Sequence, residues 1–164
     1  MTPDYERQKQ ILSQLQSAGI PFVIVGGHAV AFHGYMRTTE DVDAVWLRST
    51  DADAALLRVL EELDAVWLAK DIDPVTGLER AVPVTAPYLQ ANHMLLLSTR
   101  WGYLDLFDYV PGMPDADVNA LFADSVVGAD GMRYCSYAWL RRMKEAAGRT
   151  KDRLDLEELG EVNQ

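Results

Sequence analysis

A single cysteine, Cys135, excludes an intrachain disulfide framework and points to a reducing, cytoplasmic setting. Histidine is scarce too, with three in the chain, and no Cys/His ligand spacing indicates zinc. No apolar run approaches the roughly 18 residues of a membrane helix, so no membrane partner is expected. The opening MTPDYERQKQ is too polar and charged for a secretory signal. Repeats, low-complexity tracts and linkers are missing, so residues 1–164 are expected to form one domain around one core. Positive charge is in deficit: 15 Lys and Arg against 25 Asp and Glu give a net charge of −10. That balance argues against a general nucleic-acid-binding surface.

What is present is globular in composition, 49% hydrophobic with 24% charged residues. PDYERQKQILSQLQSAG predicts a helix with Tyr5, Ile11, Leu12 and Leu15 on one stripe and Gly19 as its stop. PFVIVGG reads as a short buried strand entering a tight turn, HAVAFHG as two helical turns and VDAVWL as a second strand. STDADAALLRVLEEL predicts a helix capped by Ser49 or Thr50. HMLLLST and GYLDLFDYV are two strands joined near Arg100–Gly102, too close for a crossover. A mixed sheet is therefore expected rather than a parallel one. KDIDPVTGLERAVPVTAPYLQAN holds short strands or a substrate loop. Beyond it come a Pro-started helix in PGMPDADVNALFADS, a strand in MRYCSY, and closing helices in AWLRRMKEAAG and KDRLDLEEL. The fold class is α+β (α/β), a small mixed sheet flanked by helices.

Chemistry concentrates in VGGHAVAFHGYMRTTEDVDAVW, Val25 to Trp46. Asp41 and Asp43, one residue apart at the mouth of a strand, project to the same face while Val42 turns into the core. Two like charges at that range repel unless a cation lies between them. Oxygen-only donors suit Mg²⁺ or Mn²⁺. Asp105 sits between Leu104 and Leu106 in a segment that otherwise reads as buried, so it needs a partner or an ion. It either joins Asp41 and Asp43 around metal ions or pairs with Arg37 or Arg100. Asp108 is expected to be solvated, and Asp71 and Asp73, followed at once by Pro74, are read as loop residues. Cys135 is expected to be a buried, inert thiol, and the four tryptophans core or rim aromatics.

Taken together, GGHA, RTTEDVD and YLDLF resemble the nucleotidyltransferase superfamily that includes DNA polymerase beta. The sequence looks most like a small bacterial branch with Gly-Gly-x-Ala, a following HG, and then Arg-x-Thr-x-Asp-x-Asp. MKEAAGRTKDRLDLEEL is similar to that branch's closing helices. The resemblance implies a polymerase-beta-like fold and transfer of a nucleoside monophosphate from an NTP such as ATP to a hydroxyl, with release of pyrophosphate. It gives Gly26 and Gly27 a turn whose amides approach the nucleotide phosphates, which suits glycine's lack of a side chain. Asp41 and Asp43 would be metal ligands, and Asp105 the general base or a second-metal ligand. Arg37 and Thr39 match the polar positions before the carboxylates, and Lys144 the phosphate-contacting lysine of the closing helix. Where many members have Gly-Ser at the turn, Gly27 is followed here by His28, which either donates to phosphate or caps the helix. His33 is read as structural.

Leu140, Met143 and Ala147 define a buried stripe that Lys144 flanks, while Arg142 and Arg149 turn further towards solvent. In the competing account Lys144 pairs with Asp155 or Glu158. The acceptor is open among a small molecule, a protein side chain and a tRNA end, with RNA disfavoured by charge. A homodimer or a helical partner protein could complete its pocket. The alternative function is a non-catalytic binding protein of the same fold, the regulatory member of a toxin–antitoxin or resistance pair. Three retained, mutually repelling carboxylates favour the enzyme.

Overall fold

The computed structural model describes residues 3–163. In chain order its elements are α1 (Pro3–Ser17), β1 (Phe22–Val25), α2 (Gly26–Phe32), β2 (Asp41–Trp46), α3 (Thr50–Glu62), β3 (Val66–Ile72), β4 (Glu79–Pro83), α4 (Ala86–Ala91), β5 (Met94–Thr99), β6 (Gly102–Phe107), α5 (Val118–Ala123), β7 (Val126–Val127), β8 (Arg133–Tyr134), α6 (Tyr137–Ala147) and α7 (Thr150–Val162). The strands form one mixed eight-stranded sheet in the order β4-β3-β5-β6-β2-β1-β8-β7. β5 and β6 pair antiparallel as a hairpin, and β6 then runs parallel to β2.

The most apolar strands sit at the centre. β1 is buried along its whole length, and Val42, Ala44, Leu104 and Leu106 of β2 and β6 are at most 1% exposed. Helix α1 packs on β2 and β6, burying Ile11, Leu12 and Leu15. Helix α3 starts at the Ser49 cap, whose hydroxyl accepts from the Ala52 amide, and buries Leu56, Val59 and Leu60. Trp46 is fully buried and its indole N–H donates to Asp53 (3.0 Å).

The stretch Lys70–Asn92, expected to hold short strands or a substrate loop, holds the end of β3, then β4 and α4, on the outer flank of the sheet. Other elements differ from the sequence expectation. Asp71 lies at the end of β3 and pairs with Arg80 across the β3–β4 hairpin (2.9 Å), while Asp73 caps the turn by accepting from Val75 and Thr76. Helix α5 begins at Val118 under an Asp117 cap rather than at a proline, since Asp117 can accept from the Asn119 amide. The strand in MRYCSY is two residues long and adds parallel to β1. Asp108, one residue beyond β6, is not solvated: its side chain is 10% exposed and partners Arg48 and His93, each at 2.9 Å. Arg48 also donates to the Leu89 and Asn92 carbonyls, tying α4 to the β2–α3 junction.

Candidate active site

The turn after β1 begins with Gly26 at φ +62°, directly after Val25, whose register partner on β2 is Asp43. A Cβ on Gly26 would fall 2.0 Å from Asp43 Oδ2, and one on Gly27 would fall 2.4 Å from Thr39 Oγ1. Both glycines are therefore demanded by space, and Gly26 also by its left-handed backbone. Thr39 in turn donates towards Asp41, to the carbonyl at 3.2 Å or the carboxylate at 3.3 Å. The loop before β2 thus steers one carboxylate while the glycine turn leaves room for the other.

Parallel pairing of β2 with β6 sets Asp43 beside Asp105 in register. Asp41 lies on the same face two residues earlier. One oxygen from each of Asp41, Asp43 and Asp105 falls within 4.8 Å of the others. None of the three has an ion-pair partner among the described residues, so neither Arg37 nor Arg100 neutralises Asp105. Burial, then the charges of Asp41 and Asp105, push the Asp43 carboxyl up to about 7. Burial and Asp41 push Asp105 up to about 6. Three hard oxygen donors that repel one another fit a divalent cation such as Mg²⁺ or Mn²⁺.

The opposite wall of the cleft is basic. A cavity of about 420 Å³ is lined by Gly26, Gly27, Arg37, Thr39 and the three aspartates, and also by Lys144, Arg149 and Lys151. Helices α6 and α7 meet at Gly148, which ends α6 in the left-handed conformation (φ +60°) and turns the chain back. The reversal places two buried carboxylates against the cations, Asp152, which also lines the cleft, and Asp155, which does not. Arg37 grips Asp155 with two donors, at 2.6 and 2.8 Å. Lys144 Nζ reaches Asp155 at 2.8 Å and Asp152 at 3.1 Å, and Arg149 Nε reaches Asp152 at 2.7 Å. Desolvation opposes ionisation of both aspartates, yet these donors hold their carboxyls below the usual range.

Lys144 is thus a cleft residue and also the member of a buried ion network. Its partners are Asp152 and Asp155 rather than Glu158. Arg149 lines the cleft while remaining largely exposed, and Lys151, which the helical stripe did not single out, lines it as well. Arg142 stays outside, stacked over the Trp139 ring at 4.3 Å.

His28 is a correction to both sequence alternatives. It is 1% exposed, stacks on Tyr5 and hydrogen-bonds the Gln8 amide oxygen at 2.9 Å, and it does not line the cleft. The third position of α2 points back under α1, and Gln8 holds both this ring and the Thr39 carbonyl (3.0 Å). Burial pulls the His28 pKa down to about 4. A lowered histidine pKa contributes stability above about pH 6.5 that is lost as pH falls through 4. The His28 contribution to folding stability should therefore drop by up to about 3 kcal/mol over that window, opposite in sign to the raised carboxyls of Asp43 and Asp105. Denaturant titrations of wild type and His28→Gln across pH 4–7 check this; equal slopes would remove His28 as the cause.

His33, at the C-terminus of α2, hydrogen-bonds the Cys135 carbonyl at 2.8 Å and serves structure. Cys135 is fully buried and its thiol is pushed up to about 12, in keeping with an inert role. No helix among the described residues is long and apolar enough to cross a membrane.

Neither a protein-family model nor a curated protein matches the sequence. Solved structures do match the fold. The solution structure of the antibiotic-resistance factor ANT(2'')-Ia is 14% identical, with TM-score 0.53 over 93% of this chain and 87% of that one. The crystal structure of ANT(2'')-Ia in complex with adenylyl-2''-tobramycin is 16% identical, with TM-score 0.51 over 93% and 90%. An antigenic nucleotidyltransferase-like protein from Paracoccidioides brasiliensis is 17% identical, with TM-score 0.52 over 97% and 74%. The chain has the nucleotidyltransferase fold.

Proposed function

We propose that the protein transfers a nucleoside monophosphate from an NTP to an acceptor hydroxyl. The observation that carries this reading is three carboxylates without cationic partners, on β2 and β6, facing a basic wall across one cleft. Asp41, Asp43 and Asp105 would hold divalent metal ions, which when bound supply charge neutralisation at the triphosphate. The amides of Gly26 and Gly27, bare of side chains, give the phosphates close approach, and Arg37, Lys144, Arg149 and Lys151 offset their remaining charge.

Asp105, the member of the triad on the neighbouring strand, takes the acceptor's proton. The acceptor oxygen bonds to the α-phosphorus as the bond to the β-phosphate oxygen breaks, and pyrophosphate leaves. The adenylyl-2''-tobramycin in ANT(2'')-Ia supports reading this fold as one that transfers adenylyl groups.

A panel of NTPs with Mg²⁺ or Mn²⁺ and hydroxyl-bearing acceptors, followed by pyrophosphate release, tests the proposal. Asp105→Asn should lower turnover by at least about 100-fold, as expected for loss of a general base, while NTP still binds. A variant that retains wild-type turnover would remove Asp105 from the chemistry.

A further inference from the structure

We infer that the acceptor binds on the open sheet face beside Asp41 and Asp105, and that it is a small hydroxyl compound with a flat apolar body, cationic or uncharged. The inference rests on the nucleotidyltransfer reading above. A second groove, of about 480 Å³, runs over β3, β5 and β6 and shares Asp41 and Asp105 with the basic-walled cleft. Its volume suits a small molecule. A ligand in either groove therefore reaches the same two carboxylates.

The two grooves differ in chemistry. The cleft carries Arg37, Lys144, Arg149 and Lys151, whereas no Lys or Arg lines the second groove. Its charged groups are Glu40, Asp41 and Asp105, all acidic; with the two aspartates committed to metal ions, Glu40 is the free carboxylate, which favours a cation over an anion. An RNA end would set its phosphates beside Glu40 in a groove that no Lys or Arg lines.

Apart from Ser98, the rest of the groove is lined by apolar and aromatic side chains. At its edge Trp67 and Tyr88, half-buried and packed against the core, stack with ring centroids 4.5 Å apart and 8° between planes. Leu68, Leu96 and Tyr103 are 54%, 52% and 58% exposed, a contiguous apolar surface rather than scattered residues. Such a surface takes an aromatic or aliphatic ring by burial and stacking, and the acidic end takes an ammonium group.

The test is an NMR titration of the isotopically labelled full chain. Its probes are tyramine, 4-hydroxyphenylacetate and a short RNA with a free 3′-hydroxyl, with ATP and Mg²⁺ titrated in parallel. Tyramine should move the Trp67 and Tyr103 signals, and the anion of the same ring should bind at least about tenfold more weakly, as charge complementarity demands. The RNA should leave those signals unmoved. Leu68→Lys and Tyr103→Ala, both at exposed positions, should weaken tyramine at least about fivefold by loss of apolar contact and leave ATP affinity unchanged.

Equal binding of the anion, binding of the RNA, or variants with undiminished tyramine affinity would each overturn the inference. ATP binding without any tyramine response overturns it and leaves the proposed reaction intact. Tyramine binding without ATP binding removes the nucleotidyltransfer reading and retains the groove as a ligand site.

Discussion

Asp155→Ala is expected to lower folding stability by about 3–5 kcal/mol, the cost of leaving buried charges without their partner. The Asp155 side chain is 1% exposed and receives two donors from Arg37 and one from Lys144, itself buried. Removing it leaves the Arg37 fork with no carboxylate and Lys144 with Asp152 alone. Asp155→Asn keeps the shape and one acceptor, so its loss should be smaller. Because the Asp155 carboxyl is held below its ordinary value, its contribution is present above about pH 4 and fades as pH falls through the folded-state value. Urea unfolding near neutral pH measures the loss; a shift under 1 kcal/mol would show that solvent screens this network. Arg37 and Lys144 also line the cleft, so ATP affinity should fall in the folded fraction of the same variant.

Saturating Mg²⁺ or Mn²⁺ should raise the melting temperature by about 5–10 °C. A ligand bound only to the folded state at a hundred times its Kd adds about 2.7 kcal/mol, and a chain of this size gains roughly 2–4 °C per kcal/mol. Asp41→Asn combined with Asp43→Asn should abolish that rise. The same double variant should melt higher than wild type without metal, because two of three mutually repelling charges are gone. The paired outcome separates a metal site from a structural acidic cluster, in which the amides would be neutral or harmful. A metal response that persists in the double variant would place the ion elsewhere.

The central strands, the Ser49 cap and the convergence of Asp41, Asp43 and Asp105 were legible because each has a local signal. Alternating burial marks β2, and an aspartate between two leucines marks β6. The β3–β4 hairpin was opaque because both strands are largely exposed and show no alternating apolar contrast. The basic wall was legible only in part. Helical spacing placed Lys144 beside the core, but its partners lie beyond Gly148, where the chain reverses and any single-helix pattern ends. Arg149 and Lys151 enter the cleft through the same reversal. His28 was misplaced because a glycine turn followed by a short helix looks the same from sequence whether the third residue faces a ligand or the underside of α1. The buried Gln8 that receives it lies in a helix whose apolar stripe concealed it.

The strand order has a consequence for how the site responds to its ligands. Asp41, Asp43 and Asp105 grow from β2 and β6, interior strands flanked by β1 and β5. Backbone in such positions opens last in hydrogen exchange, at a free energy near that of global unfolding. The repulsion between Asp43 and Asp105, both inside their strands, therefore cannot relax by fraying or loop movement, as it would on a surface turn. The electrostatic side of the cleft is rigid, and adjustment falls to the α6–α7 reversal and to whatever binds.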